Sequence, residues 1–293
     1  MKLGAHMSTA GGYYKALERA SLVDCTAVQL FTKNANQWAG KVLTEDEAGL
    51  FKQTRDNLGY APGDIIAHDS YLINLATPDD VLWEKSLAAF GHELDRCSML
   101  GIPGLVTHAG AHMGSGEEAG LERIAQSLER VLGARTDGDV TVLLETTAGQ
   151  GTCLCYCFEH LARVMELLSA PARRHVAVCW DTCHLFASGI DFTDAVKYER
   201  MVESFDRIVG LDKLWAIHMN DSKKGLGSRV DRHDHIGKGA IGIEPFRFIM
   251  NDPRLSGLPK VLETPKGDDK KDELAEDRVN LALLRGLTLL SAA

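Results

Sequence analysis

Six consecutive apolar runs of this chain end in residues that bind metals, and that pattern restricts its fold more than any other feature. Eight short runs, most of them rich in β-branched residues, alternate with helical patterns. KLGAH ends at His6, AVQLF at Phe31, DIIAH at His68, GLVTH at His108, TVLLE at Glu145, AVCWD at Asp181, LWAIH at His218 and KVLE at Glu263. From Phe31 onward the ends lie 36 to 45 residues apart, room for a strand, a helix and two loops. Eight such units predict an α/β fold, a single (β/α)8 TIM barrel over residues 1–293, with the strand ends converging on the C-terminal rim. No linker, low-complexity stretch or composition shift divides the chain.

Solvated strand ends would include Lys, Ser, Asn and Thr. Here only ligand types occur, so the rim is expected to hold a metal site. Behind Asp181, the run DTCH places His184 one short turn further on, and Asp231 and His233 stand as D-x-H in a long loop after the seventh strand. With the six strand ends these make nine candidates, too many for one ion, which takes about three or four protein ligands. They suit two or three zinc or manganese ions bridged by carboxylates, a device of phosphoryl transfer and hydrolysis.

Helix punctuation agrees with the barrel. Thr44 with Glu47 and Ser115 with Glu118 have capping-box spacing, and Gly59, Gly101 and Gly133 close helical patterns. At 45% hydrophobic and 25% charged, the composition is that of a globular protein. No apolar run reaches membrane-spanning length, and no signal or transit peptide is evident. Seven cysteines then imply reduced thiols and a cytoplasmic location. A net charge of −9 argues against a generally basic coat. The loop after the seventh strand is nevertheless locally basic, with Lys223, Lys224, Arg229, Arg232 and Lys238 against Asp221, Asp231 and Asp234. Alone it would be a solvated loop; beside a metal site built for phosphate, it is expected to contact a nucleic-acid backbone.

The segments GAHMSTAGG, FTKNANQW, HDSYLINLA, HAGAHMG, ETTAGQG, WDTCHLFASGID, HMNDSKKGLGSRVDRHDHIGKGAIG and LETP together resemble the endonuclease IV family of zinc-dependent apurinic/apyrimidinic endonucleases. The resemblance runs to about residue 265. It implies a barrel enzyme that cleaves double-stranded DNA 5′ to an abasic site, leaving a 3′-hydroxyl and a 5′-deoxyribose phosphate. A metal-bound hydroxide would be the nucleophile, and trimming of 3′ ends by phosphodiesterase or phosphatase action is also implied. Residue by residue, it implies that His68, His108 and Glu145 hold one Zn2+. Glu145, Asp181, His218 and Glu263 hold a second, and His184, Asp231 and His233 a third, where Mn2+ is also compatible. Glu145 and Glu263 are the implied catalytic carboxylates. Asn36, Tyr71, Leu72, Lys223, Lys224, Arg229 and Arg232 are the expected DNA contacts, in an enzyme acting as a monomer away from membranes.

The chain departs from the family pattern at Ala109, usually Pro, at Thr146, usually Asn, and at Asn36, where some members carry Arg. Cys153, Cys155 and Cys157 are expected to be small, partly buried hydrophobes near a helix start, with Cys183 packed beneath the metals. His6 and His112 are expected to hydrogen-bond the ligands, and Trp38 to serve as a DNA contact or a core anchor. Two rivals carry other functions: a metal-dependent sugar isomerase or epimerase, needing only Glu145, Asp181, His218 and Glu263, and a non-catalytic binder of damaged DNA.

Overall fold

A computed structural model describes residues 1–133, 135, 140–267 and 272–288. Strand and helix alternate as β1 (Leu3–His6), α1 (Tyr13–Ser21), β2 (Ala27–Phe31), α2 (Glu45–Asn57), β3 (Ile65–His68), α3 (Asp80–Leu100), β4 (Gly104–Thr107) and α4 (Glu117–Gly133). The second half continues with β5 (Thr141–Glu145), α5 (Phe158–Leu167), α6 (Ala170–Arg173), β6 (Val176–Asp181), α7 (Thr182–Ser188), α8 (Ala195–Ile208) and β7 (Leu214–His218). A short antiparallel pair, β8 (Asp221–Ser222) and β9 (His233–Asp234), precedes α9 (Glu244–Asn251), β10 (Lys260–Leu262) and α10 (Ala275–Gly286). Strands β1 to β7 and β10 pair in parallel and close, β1 lying between β10 and β2. This is the expected TIM barrel.

Side chains alternate across a strand, so one parity faces the helices and the other the barrel interior. Ala27, Ile66, Val106, Leu143, Ala177, Cys179, Ala216 and Val261 form the interior cluster. Two residues further along the same strands come Gln29, His68, His108, Glu145, Asp181, His218 and Glu263. All but Gln29 are predicted ligands, and they share the interior parity. The barrel therefore aims them at one region.

Local details differ from expectation in three places. His108 and Glu263 each stand one residue past the end of their strands. Thr44 and Glu47 form their capping box, but Ser115 and Glu118 do not. The hydroxyl of Ser115 donates to the carbonyl of His112 at 2.8 Å, and Glu118 binds Arg163 instead. A glycine at 116, φ +96°, turns the chain before α4 starts at Glu117, which leaves Ser115 outside the cap position. Finally, the long loop after β7 is organised by a hairpin. The buried carboxylate of Asp221 accepts from the backbone N–H groups of Ser222, Gly239 and Ile241.

The loop after β2 rests on a buried ion pair. Lys33 Nζ lies 2.8 Å from Glu93 of α3, and also donates to the carbonyl of Gln37 at 3.0 Å. Thr32 hydrogen-bonds the same carboxylate, and Arg96 donates to the carbonyls of Thr32 and Lys41. Breaking a buried pair leaves an uncompensated charge. Glu93→Ala is therefore expected to lower the unfolding free energy by about 3–5 kcal/mol, measured by urea denaturation. A loss near zero would mean that Lys33 reaches solvent freely.

Candidate metal centre

Glu145, fully buried at the end of β5, is the meeting point of four imidazoles. His68 Nε2 and His218 Nδ1 lie 3.1 Å from its carboxylate oxygens, and His108 Nε2 and His184 Nδ1 lie 3.2 Å away. Burial opposes ionisation of Glu145, yet the nearby imidazoles of His218, His108 and His184 hold its carboxyl well below the usual range. Glu263 behaves in the same way, opposed by burial and held down by His218 and His6. At Asp231, burial is outweighed by His184 and His233, which bring it to about 2. Conversely, burial opposes a charge on His68, but Glu145 raises it to about 9.

Donor atoms gather into groups whose members lie within 4.8 Å of one another: His68, His108 and Glu145; Glu145, Asp181, His218 and Glu263; and His184, Asp231 and His233. These nine residues are the nine selected from the sequence. Glu145 belongs to two groups, so the first and second sites are joined through one carboxylate. Cys183 also comes close to Asp181 and His233. Burial pushes its thiol up to about 12, so with no cation beside it the thiol stays protonated.

Ring hydrogen bonds show which nitrogen each histidine turns inward. His68 Nδ1 faces the carbonyl of Asp69 at 2.9 Å, His184 Nδ1 that of Thr146 at 2.9 Å, and His233 Nδ1 that of Glu263 at 3.2 Å. A carbonyl only accepts, so each of these nitrogens carries a proton, and Nε2 is the nitrogen that can give its lone pair to a cation. His184 Nε2 and His233 Nε2 are buried without a hydrogen-bond partner, 3.1 and 3.4 Å from Asp231. Such orphans cost about 1–3 kcal/mol each. A divalent cation between the two rings and the carboxylate would satisfy both, so the donor set fits a metal.

The local sequence explains the placement. Asp181 is the N-cap of α7, accepting from the N–H of His184 at 2.8 Å, so DTCH orients both ligands with one hydrogen bond. The N–H groups of Gly227 and Arg229 donate to the carbonyls of Phe186 and Ala187, docking the hairpin region onto the end of α7. Gln150 holds the backbone N–H of Asp231. Three buried residues were given no role from the sequence, although Thr146 was noted there as a departure from the family pattern. Gln29 touches Glu263 and His218; Asn220 donates to Asp181 at 2.6 Å and accepts from the N–H of Glu263; the hydroxyl of Thr146 accepts from the N–H of Asp181. A signal existed for two of them: a glutamine at an interior position of an apolar strand, and an Asn directly behind the HM after β7.

Over the ligands opens a cavity of about 370 Å³ lined by His68, His108, His184, Asp231, His233 and Glu263 together with Tyr71, Lys223, Arg232 and Pro265. Tyr71 is 59% exposed and braced edge-on against Phe31 at 5.6 Å. Among the other expected DNA contacts, Leu72 is half-buried and Lys224, Arg229 and Asn36 are exposed, all outside the cavity lining. Arg229 sits over the ring of Tyr156 at 4.7 Å. Asn36 does not cap its loop; its N–H donates to the side chain of Asn34, which does. Trp38 packs partly buried against the core with Lys85 over its ring. His6 is 3.7 Å from Glu263, as expected for a residue supporting a ligand. His112 instead accepts from the N–H groups of Gly114 and Gly116 in its own turn. Cys155 is buried, Cys153 and Cys157 half-buried, and all three are free thiols.

Residues 17–284 match the xylose isomerase-like TIM barrel family. The chain is 52% identical over 292 residues to the probable endonuclease 4 of Chloroflexus aggregans, covering 100% of this chain and 99% of that protein. The crystal structure of endonuclease IV from Thermus thermophilus superposes with a TM-score of 0.83 at 35% identity, covering 98% of both chains. D-psicose 3-epimerase from Clostridium cellulolyticum has the same fold at 14% identity, with a TM-score of 0.72 over 98% of this chain and 99% of that one.

The orphaned nitrogens of the third group lead to a stoichiometry test. Loaded with zinc and desalted, the chain should carry about three ions, and Asp231→Asn about one fewer, with unchanged circular dichroism. Elemental analysis giving equal zinc in the two proteins would remove Asp231 from the ligand set.

Proposed function

The chain belongs to the endonuclease IV family, and we propose that it is a metal-dependent DNA-repair enzyme hydrolysing the phosphodiester 5′ to apurinic/apyrimidinic sites. The products would be a 3′-hydroxyl and a 5′-deoxyribose phosphate. One observation carries this reading: three donor groups, two of them joined through Glu145, lie beneath a cavity edged by Lys223 and Arg232. In this proposal His68, His108 and Glu145 hold one zinc ion, and Glu145, Asp181, His218 and Glu263 a second. His184, Asp231 and His233 hold a third ion, with manganese compatible there. Bound there, such ions supply Lewis acidity, making water nucleophilic near neutral pH and neutralising charge on phosphoryl oxygens.

The protein's own side chains do the rest. Glu145 sets the spacing between two sites, and Glu263, hydrogen-bonded by Gln29, holds a fixed orientation at the cavity floor. Lys223 and Arg232 attract the backbone phosphates into the cavity. Tyr71, with Leu72 beside it, fills the gap left by an extruded abasic nucleotide. That nucleotide has already lost its stacking and costs less to move than an intact pair. The same floor would act on blocked 3′ ends, since those too present a phosphate beside a strand terminus. In this reading the 293 residues act as one domain and as a monomer in the cytoplasm. Among the described residues, no helix is long and apolar enough to cross a membrane. A sugar epimerase would use the group around Asp181, His218 and Glu263 and leave the other two groups without a task.

A duplex with one abasic analogue should be cut on the 5′ side by the zinc-loaded chain and spared after chelation. Glu145→Gln should lower turnover at least about 100-fold with the fold retained, because the shared carboxylate is lost from two sites together. Cleavage by this variant at near wild-type rate would take Glu145 out of the chemistry.

Salt gives a second test. Log affinity for abasic duplex should fall linearly with log salt, and the double variant Lys223→Ala, Arg232→Ala should flatten the slope by about 1–2. An unchanged slope would return the hairpin to ordinary solvated surface.

A further inference from the structure

Strands β1 and β2 supply none of the nine donors, yet their interior side chains reach the centre. His6 and Gln29 face each other across the β1–β2 pair. Gln29 is fully buried at the level of the ligands. Its Nε2 donates to Glu263 Oε1 at 2.5 Å and meets His6 Nδ1 at 3.0 Å, while its Oε1 lies 2.7 Å from His218 Nε2. The other inward-turned rings with a defined proton lean on backbone carbonyls, which cannot turn over. His218 alone among these leans on a side-chain amide, which can.

What stops the amide turning is Glu263. A carboxylate only accepts, so it demands the NH2 end of Gln29. The oxygen end must then face His218, and an amide oxygen also only accepts, so His218 carries its proton on Nε2. Its Nδ1, 3.1 Å from Glu145, 3.1 Å from Glu263 and 3.8 Å from Asp181, is then the nitrogen whose lone pair a cation would take in place of the proton shared with those carboxylates. The opposite rotamer would set oxygen against carboxylate and push the proton to Nδ1, where it would block a cation.

We propose that Gln29 is a positioning residue: held by Glu263, it selects the His218 tautomer that offers Nδ1 to the metal, so one ligand of the second site orients another. The inference rests on the metal-centre reading given under the proposed function. It assigns His218 a ligating nitrogen different from the Nε2 turned inward by His68, His184 and His233.

Two measurements on the full chain test it, with zinc as the probe. In the zinc-loaded protein, long-range proton–nitrogen correlations should show His218 protonated on Nε2 and shifted by metal on Nδ1. Zinc on Nε2 would overturn the proposal without any variant being made. In Gln29→Met, which keeps the volume and removes both hydrogen bonds, competition with a chromogenic chelator should show about 10- to 100-fold weaker binding of one zinc, the others unaffected. A merely structural role would lower the melting temperature and leave that constant alone, and an unchanged constant overturns the proposal. Wild type yielding no bound zinc would instead bring down the metal-centre reading itself, and this inference with it.

Discussion

A carboxylate taken out of water at the centre of a barrel costs several kcal/mol unless positive charge or donors surround it, and Glu145 is that carboxylate. Four imidazoles from β3, the loop after β4, α7 and β7 approach within 3.2 Å, and none would be there for packing alone. Their convergence brings further carboxylates, Asp181, Asp231 and Glu263, which need compensation in turn. The result is a cluster in which removing any member leaves an unbalanced charge. Cations shared among the donor groups would balance all of it at once, which is why acids and imidazoles occur together here.

The barrel makes the convergence inexpensive. Parallel strands of one parity already aim their interior side chains at the axis, so a ligand at each strand end requires no special backbone. This is why most of the candidate centre was legible in the sequence: six strand ends, DTCH and D-x-H name the nine residues whose donor atoms gather here. The supporting residues were not legible in the same way. Gln29 sits inside an apolar strand, where a polar residue carries no period of its own. Thr146 and Asn220 act through a hydroxyl and an amide whose partners lie 35 to 43 residues away. The hairpin β8–β9 is two residues per strand, too short to leave an alternation. The Lys33–Glu93 pair joins residues distant in sequence, and nothing in either neighbourhood marks it as buried.

In the proposed function, recognition would follow a different plan from chemistry. Five of the nine candidate donors are buried and four half-buried, whereas most of the residues that would face a duplex are exposed side chains on anchored backbone. Tyr71 follows Ser70, whose hydroxyl donates to the carbonyl of Ala35, tying the loop after β3 to the loop after β2. That second loop is fixed again by Lys33, Glu93 and the Asn34 turn. The hairpin is fixed by Asp221 inside and by the end of α7 outside.

This anchoring bears on how a lesion could be told from intact DNA. Phosphate contacts hold any duplex equally, so selection must come from the cost of deforming it against a surface that does not yield. A loop that moved with the duplex would accept undamaged DNA almost as readily as damaged. Buried polar anchors under Tyr71 and Asn36 would hold that surface in place, their desolvation offset by the hydrogen bonds and the Lys33–Glu93 pair. Asn36 itself carries neither charge nor a large stacking face. In the proposed function, discrimination at this rim would fall mainly to the aromatic ring of Tyr71, held edge-on by Phe31 and tilted against His68. The ring that would probe the duplex thus touches a histidine of the candidate donor set, so in the proposed function recognition and chemistry would meet at His68.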